Sequence, residues 1–229
     1  MLGGAEGVIK FQAEHRPAAL SEAAAERFRV IAAWRRVLWD LRLIGADPQR
    51  YEGAGFGNLS ARLPPFPGER GSRRFVITGS QTGRELQFTP SALSVVEAYD
   101  YKTNRVRSTG PIQPSSESMT HGAIYDLEPR VRCVFHAHAP GIWHNATALR
   151  VPTTRPDVAY GTREMAWEVG RLFRESNLAT VRIMAMGGHE DGIITFGHSA
   201  EEAGEVLVQF LARAYGCQPS FRVRNGMSP

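Results

Sequence analysis

The sequence predicts an α/β fold in which helices cover a central mixed or antiparallel sheet. Three observations predict it. Segments with helical periodicity stand near both ends, from Ser21 and from Ala200. Between them lie short β-rich runs split by turn signals, some close enough to be joined as hairpins. In the second half helical and strand-like segments alternate, and helices mixed with hairpin-joined strands call for a sheet that the helices cover. At 229 residues, 42% of them hydrophobic, the chain is long enough for one sizeable core.

Residues 1–19 show no sustained period and read as an irregular arm before a single domain at 20–229. From Ser21, a plausible N-cap, Val30, Trp34, Val37, Leu38 and Leu41 share one helical face, with Arg29, Arg35 and Arg36 largely opposite. Gly45 and Pro48 supply the stop. Asn58 to Leu63 and Arg74 to Thr78 read as strands across the turn-rich segment Pro64 to Gly71. Val95 to Tyr101 and Asn104 to Ser108 form a hairpin around Lys102 and Thr103. Pro114, Ser115 and Ser116 start a helix over Glu117 to Leu127, and a buried strand follows at Val131 to Ala137. A short helix after Pro140, a helix at Thr162 to Glu175 and strands at Val181 to Met186 and Gly192 to Phe196 come next. Ser199 caps the last helix, Ala200 to Tyr215, with Glu202 placed as in a capping box.

Several function classes are set aside by composition. The apolar runs are far too short to span a bilayer. No charged n-region precedes an apolar stretch, so a cytoplasmic protein is expected. Two cysteines, Cys133 in an apolar run and Cys217 after the last helix, indicate reduced thiols rather than a disulfide framework. The net charge is +4, but the basic residues are scattered, which argues against a nucleic-acid partner and suits a small anionic metabolite.

His136 and His138 carry the sharpest chemical signal. Residues two apart project from the same face of a strand, so Val-Phe-His-Ala-His-Ala brings two imidazoles together. Burying both without partners is costly, and a shared metal removes that cost. A hydrogen-bonded pair of core histidines is the alternative. For a third ligand His15, His121, His144 and His198 compete with His189, which stands in Met-Gly-Gly-His-Glu-Asp-Gly just after an apolar strand. Glycines allow the close approach that loops around a site need, and they favour His189. Ser115 and Ser116 at a helix N-terminus offer either capping or an anion site. Gly57-Asn58 and Thr78-Gly-Ser-Gln-Thr-Gly83 are small, polar, loop-prone segments that match neither a P-loop nor a dinucleotide fingerprint. There is no G-x-S-x-G, and Cys133 in its apolar strand should be inert.

In this order the pieces resemble the class II aldolase/adducin family. Gly-Asn-Leu-Ser at 57–60, Phe-Val-Ile-Thr at 75–78 ending in Thr82-Gly83, Pro-Ser-Ser-Glu at 114–117 with His121 following, His-Ala-His-Ala at 136–139 and Gly-Thr-Arg-Glu at 161–164 carry the likeness. The resemblance implies a three-layer α/β/α domain with a largely antiparallel sheet. It implies Zn²⁺, or Mn²⁺, Co²⁺, Ni²⁺ or Fe²⁺, on His136, His138 and His189, with Glu117 as acid/base. Asn58, Thr82, Gly83, Ser115 and Ser116 would hold a substrate phosphate. The implied activity is that of a metal-dependent aldolase-type lyase. Its substrate would be a small, phosphorylated hydroxy-carbonyl compound, cleaved through an enediolate that the metal stabilises. An epimerase, dehydratase or decarboxylase, or a non-catalytic adducin-like interaction domain, are the alternatives. A homotetramer with sites at subunit contacts is expected. Two segments depart from the family pattern. The loop Ile77-Thr-Gly-Ser-Gln-Thr-Gly83 is two residues longer, and Glu190 and Asp191 stand as insertions beside His189. The extra tyrosine of the aldolases has no counterpart here beyond Tyr160.

Overall fold

Ser21 starts the first helix as its sequence suggests. It sits in extended conformation and its side chain accepts from the Ala24 N–H at 3.3 Å, capping α1 (Glu22–Asp40). The computed structural model describes residues 6–217, so expectations for residues 1–5 and 218–229 lie outside the described residues. The buried face of α1 differs from the expected stripe. It carries Ala24, Ile31, Arg35 and Leu38, while Val30, Val37 and Leu41 are 37, 43 and 40% exposed. The reason is Arg35, whose guanidinium turns inward and donates to the carbonyls of Thr82, Gly83 and Glu85 at 2.8, 3.2 and 2.6 Å. Three backbone acceptors compensate the burial of one charge, and the helix is rotated accordingly.

Gly45 does more than stop the helix. It opens β2 (Gly45–Asp47), which pairs with β3 (Arg50–Phe56) in a two-stranded sheet not expected from the sequence. The main sheet has eight strands. These are β4 (Asn58–Arg62), β5 (Phe75–Thr78), β6 (Leu93–Asp100), β7 (Arg105–Gly110), β8 (Cys133–His138), β9 (Ile183–Ala185), β10 (Gly192–Gly197) and β1 (Gln12–Pro17). The order is β1-β7-β6-β5-β4-β8-β10-β9. Among the described residues only the β1–β7 strand pair is parallel, so the sheet is mixed and largely antiparallel. The arm expected to be irregular therefore contributes an edge strand. Its side chains are mostly exposed, so this edge strand leaves no hydrophobic alternation to read.

Side-chain alternation divides the core into two layers. On one face Leu59, Ala61, Val76, Phe135 and Ile193 pack with Ile31 and Leu38 of α1 and with Leu207 and Leu211 of α7 (Ala200–Gly216). On the other face Phe75, Ile77, Val134 and Ile194 pack with Met119 and Ile124 of α2 (Ser118–Leu127). Met165 and Val169 of α5 (Arg163–Glu175) join them there. The result is a three-layer α/β/α domain. Because α2 lies under α5, its residues Ser118 to Asp126 are buried all round. Ser199 caps α7 through the Glu202 N–H at 3.2 Å, but the Glu202 carboxylate accepts from His198 rather than from Ser199. The strand expected at Val181 to Met186 is shortened by a one-turn helix, α6 (Leu178–Val181), which ends on Arg182 at φ 56°. Among the described residues no helix is long and apolar enough to cross a membrane.

Candidate metal centre

The sheet places the site through β8. Phe135 and Ala137 face the α1/α7 layer, so Val134, His136 and His138 face α2 and α5. His136 is paired in register with Asn58 on β4 and Ile194 on β10, in the middle of the sheet. Both histidines are fully buried. Two short helices, α3 (Pro140–His144) and α4 (Ala146–Leu149), carry the chain away from the end of β8. His189 comes from the turn between β9 and β10, where its N–H donates to the Met186 carbonyl. Gly188 is required there. A Cβ added to it would lie 2.1 Å from the Val158 carbonyl oxygen, so any side chain would push the turn away from the site.

The three imidazoles converge. Ring centroids of His136 and His138 are 5.0 Å apart, and His189 lies 5.1 and 4.8 Å from them. His136 Nδ1 lies 3.2 Å from the Ile193 carbonyl oxygen; with the proton on Nδ1 it donates there, which leaves the Nε2 lone pair facing the centre. Burial lowers the pKa of His136 and holds that of His138 well below its usual value, so both are neutral. His136 Nε2, both nitrogens of His138 and His189 Nδ1 have no hydrogen-bond partner among the described residues. Each such buried orphan costs about 1–3 kcal/mol. Ligand atoms of the three histidines and of Glu6 lie within 4.8 Å of one another. Two neutral imidazoles with unpaired nitrogens, gathered with a third whose extra proton a metal can displace, fit a borderline divalent ion.

Glu117 stands at the N-cap of α2, 1% exposed. Its Oε1 lies 3.4 Å from His189 Nδ1, and neither oxygen has a hydrogen-bond partner of good geometry among the described residues. Burial alone would raise its pKa, but protonated His189 outweighs that and holds it ionised, at about 2. His189 shows the mirror effect. Burial would lower its pKa, whereas Glu117 and Glu6 raise it to about 9. The remaining histidines do other work. His121 Nδ1 is 2.7 Å from the Ser60 hydroxyl, and burial lowers its pKa to about 3. His15 meets Ser108, His198 pairs with Glu202, and His144 is largely exposed.

The residues expected at a phosphate are only partly gathered. The Ser80 N–H donates to the Gln113 carbonyl at 3.0 Å and the Ser115 N–H to Thr78 at 3.2 Å, which brings the 78–83 loop beside the start of α2. Asn58 and Ser116 are buried, and the Ser115 hydroxyl accepts from the Glu117 N–H at 3.2 Å. Thr82 and Gly83 lie in a 3-10 turn, Thr82–Arg84. The Thr82 hydroxyl donates to Gly79 at 2.8 Å, and a Cβ on Gly83 would lie 2.5 Å from the Phe56 carbonyl oxygen. These two residues are packed into the scaffold. Of the two inserted acids, Asp191 is buried and Glu190 exposed.

Sequence reasoning missed three neighbours. Glu6 Oε2 lies 2.8 Å from His189 Nε2. Tyr51 sets its ring edge against His138 at 4.5 Å, and its hydroxyl donates to Asp191 at 2.5 Å. Arg50 pairs with Asp191 at 3.5 Å. Tyr51 adopts φ 50°, unusual for a bulky residue, and that was not readable in advance. Tyr160 stacks on His189 at 4.4 Å.

Comparisons with known proteins give the family and the fold. The family model described as the class II aldolase and adducin N-terminal domain matches residues 46–215. Solved structures share the fold. L-fuculose-1-phosphate aldolase from Thermus thermophilus is 23% identical, with TM-score 0.57 over 83% of this chain and 92% of that one. A sugar-phosphate aldolase from Thermotoga maritima is 16% identical, with TM-score 0.61 and the same coverage, 83% and 92%. A Klebsiella pneumoniae protein provisionally assigned as an aldolase, epimerase or decarboxylase is 18% identical, with TM-score 0.58 over 86% and 90%. At these identities the likeness is one of fold. No curated protein matches the sequence.

Proposed function

The chain belongs to the class II aldolase and adducin family, and from that premise we propose that it is a divalent-metal-dependent aldehyde-lyase acting on a small, phosphorylated hydroxy-carbonyl compound. The observation that carries the reading is the buried triad of imidazoles that each bring a ligand nitrogen within 4.8 Å of the others, with Glu117 beside them 3.4 Å from His189. His136, His138 and His189 would hold the ion, Zn²⁺ being the first choice for three imidazoles. When bound, a divalent ion supplies Lewis-acid stabilisation of negative charge developing on a hydroxy-carbonyl oxygen.

The chain's own groups do the rest. Glu117, kept ionised by its surroundings, takes a proton from the substrate and returns it to the product. The start of α2, with Ser115 and Ser116, and Asn58 bind the phosphate. Remote binding there orients the reacting carbon without altering its chemistry. Thr82 and Gly83 contribute by shaping the loop, since their side-chain and backbone positions are fixed against Gly79 and Phe56. Tyr160 and Tyr51 wall the site on two sides and limit water. A cytoplasmic homotetramer completes the proposal.

Glu117→Gln provides the test. The variant should keep stoichiometric metal and lose turnover against phosphorylated sugars and sugar acids; full retained activity refutes the role. Metal content unchanged by His136→Ala would refute the enzyme reading and favour an adducin-like interaction domain. Product analysis separates aldol cleavage from epimerisation, dehydration and decarboxylation, since these differ in the bond that is broken.

A further inference from the structure

The N-terminal arm enters the histidine site, and nothing in the proposed reaction requires it to. Its course is fixed by independent contacts. Ser80 donates to the Gly7 carbonyl at 3.0 Å, and the Val8 N–H donates to the Tyr160 hydroxyl at 3.1 Å. The Lys10 ammonium sits 3.5 Å over the Tyr160 ring, and Asn104 donates to the Lys10 carbonyl at 2.9 Å. Phe11 is buried in the core, and β1 then joins the sheet edge. Gly7 adopts φ 74°, a turn that favours glycine, and it directs Glu6 inward.

Glu6 consequently places one oxygen 2.8 Å from His189 Nε2 and the other 3.7 Å from His138 Nε2. Its carboxylate falls within the 4.8 Å group of donor atoms formed with the three histidines, a group that does not include Glu117. The two carboxylates also address different nitrogens of His189, Glu6 facing Nε2 and Glu117 facing Nδ1. One points into the donor cluster and the other stands beside it. They therefore have different tasks.

We propose that Glu6, delivered by the N-terminal arm, is a fourth, exchangeable donor to the ion held by His136, His138 and His189, so that arm docking and metal loading are one coupled equilibrium. The inference rests on the metal centre proposed above. A fourth oxygen donor would complete a four-ligand set, lower the net charge of the site and be open to replacement by a substrate oxygen. Reciprocity follows: if the docked arm strengthens metal binding, the metal must strengthen docking by the same factor.

The test is a titration of full-length protein with Co²⁺, followed by its visible absorption, alongside hydrogen exchange of residues 7–17. Glu6→Gln and Glu6→Ala should each bind Co²⁺ about tenfold more weakly or worse, the scale seen when groups supporting a metal site are removed. The absorption band should change shape in both variants. Metal should slow exchange at residues 8–11 in the parent protein and not in the variants. Unchanged affinity, spectrum and exchange in both variants, with binding abolished by His136→Ala, would overturn the role of Glu6 and leave the metal centre standing. Normal Co²⁺ binding by His136→Ala would instead remove the centre itself, and the proposal with it.

Discussion

Acid should unfold the metal-free protein early, and the reason is three histidines buried in the neutral state. His121, His136 and His138 all have folded pKa values below the ordinary 6.5, first because of burial. The unfolded chain takes up a proton on each near pH 6.5 and the folded chain does not. Stability must then fall as pH drops below that value, by about 1.4 kcal/mol per pH unit for each group. For His121 and His138, whose folded values lie well below the ordinary one, the integrated loss between pH 6.5 and 5 is about 1.6 kcal/mol each and about 3 kcal/mol together, and His136 adds in the same direction. His189 has the opposite sign. Its folded pKa of about 9 lies above its unfolded value of 6.5, so its contribution is complete below 6.5 and is lost as pH rises toward 9. Glu117, at about 2 against an ordinary 4.5, adds its own loss only below pH 4.5. The metal-free protein should thus be most stable near pH 6.5. Urea unfolding of chelator-treated protein at pH 8, 6.5 and 5 measures this. His138→Gln should reduce the acid slope, since one strongly shifted proton-uptake site disappears. A change of less than about 1 kcal/mol between pH 6.5 and 5 would refute the assignment of neutral buried imidazoles.

Other substitutions test how the scaffold serves the site. Arg35→Ala leaves the carbonyls of Thr82, Gly83 and Glu85 without their buried donor and should cost about 2–4 kcal/mol in chemical unfolding. Because that donor fixes the 82–85 turn, KM for a phosphorylated substrate should rise while kcat is largely kept; an equal fall in both would contradict the positioning role. Gly204→Ala brings a methyl to within 2.1 Å of the Trp34 ring and wedges α7 from α1, for a loss of about 1–3 kcal/mol in thermal or urea stability with metal content unchanged. Tyr51→Phe removes the hydroxyl that donates to buried Asp191, leaving Arg50 as its close cationic partner, and should destabilise by about 1–3 kcal/mol without loss of metal.

How much of this was readable in the sequence depends on the range over which each feature is encoded. His136 and His138 are two residues apart on a strand, and the strand period alone puts them on one face. The glycines before His189 announce a tight turn, and a Cβ at Gly188 would collide with the chain crossing at Val158. Glu117 sits one residue before α2, where a helix-start pattern reveals it. Arg35 defeats the reading because a charge rule sends arginine to solvent, whereas here three carbonyls some fifty residues further on receive it. Glu6 is hidden most completely. Its segment shows no period, its strand pairs only along an exposed edge, and its partner His189 is 183 positions away. Contacts of that kind are set by where the finished sheet places its edges, so they are legible only once the fold is in hand. By the same logic the proposed metal ligands found first are those the sheet itself carries, and the one found last is the one a separate segment must bring to them.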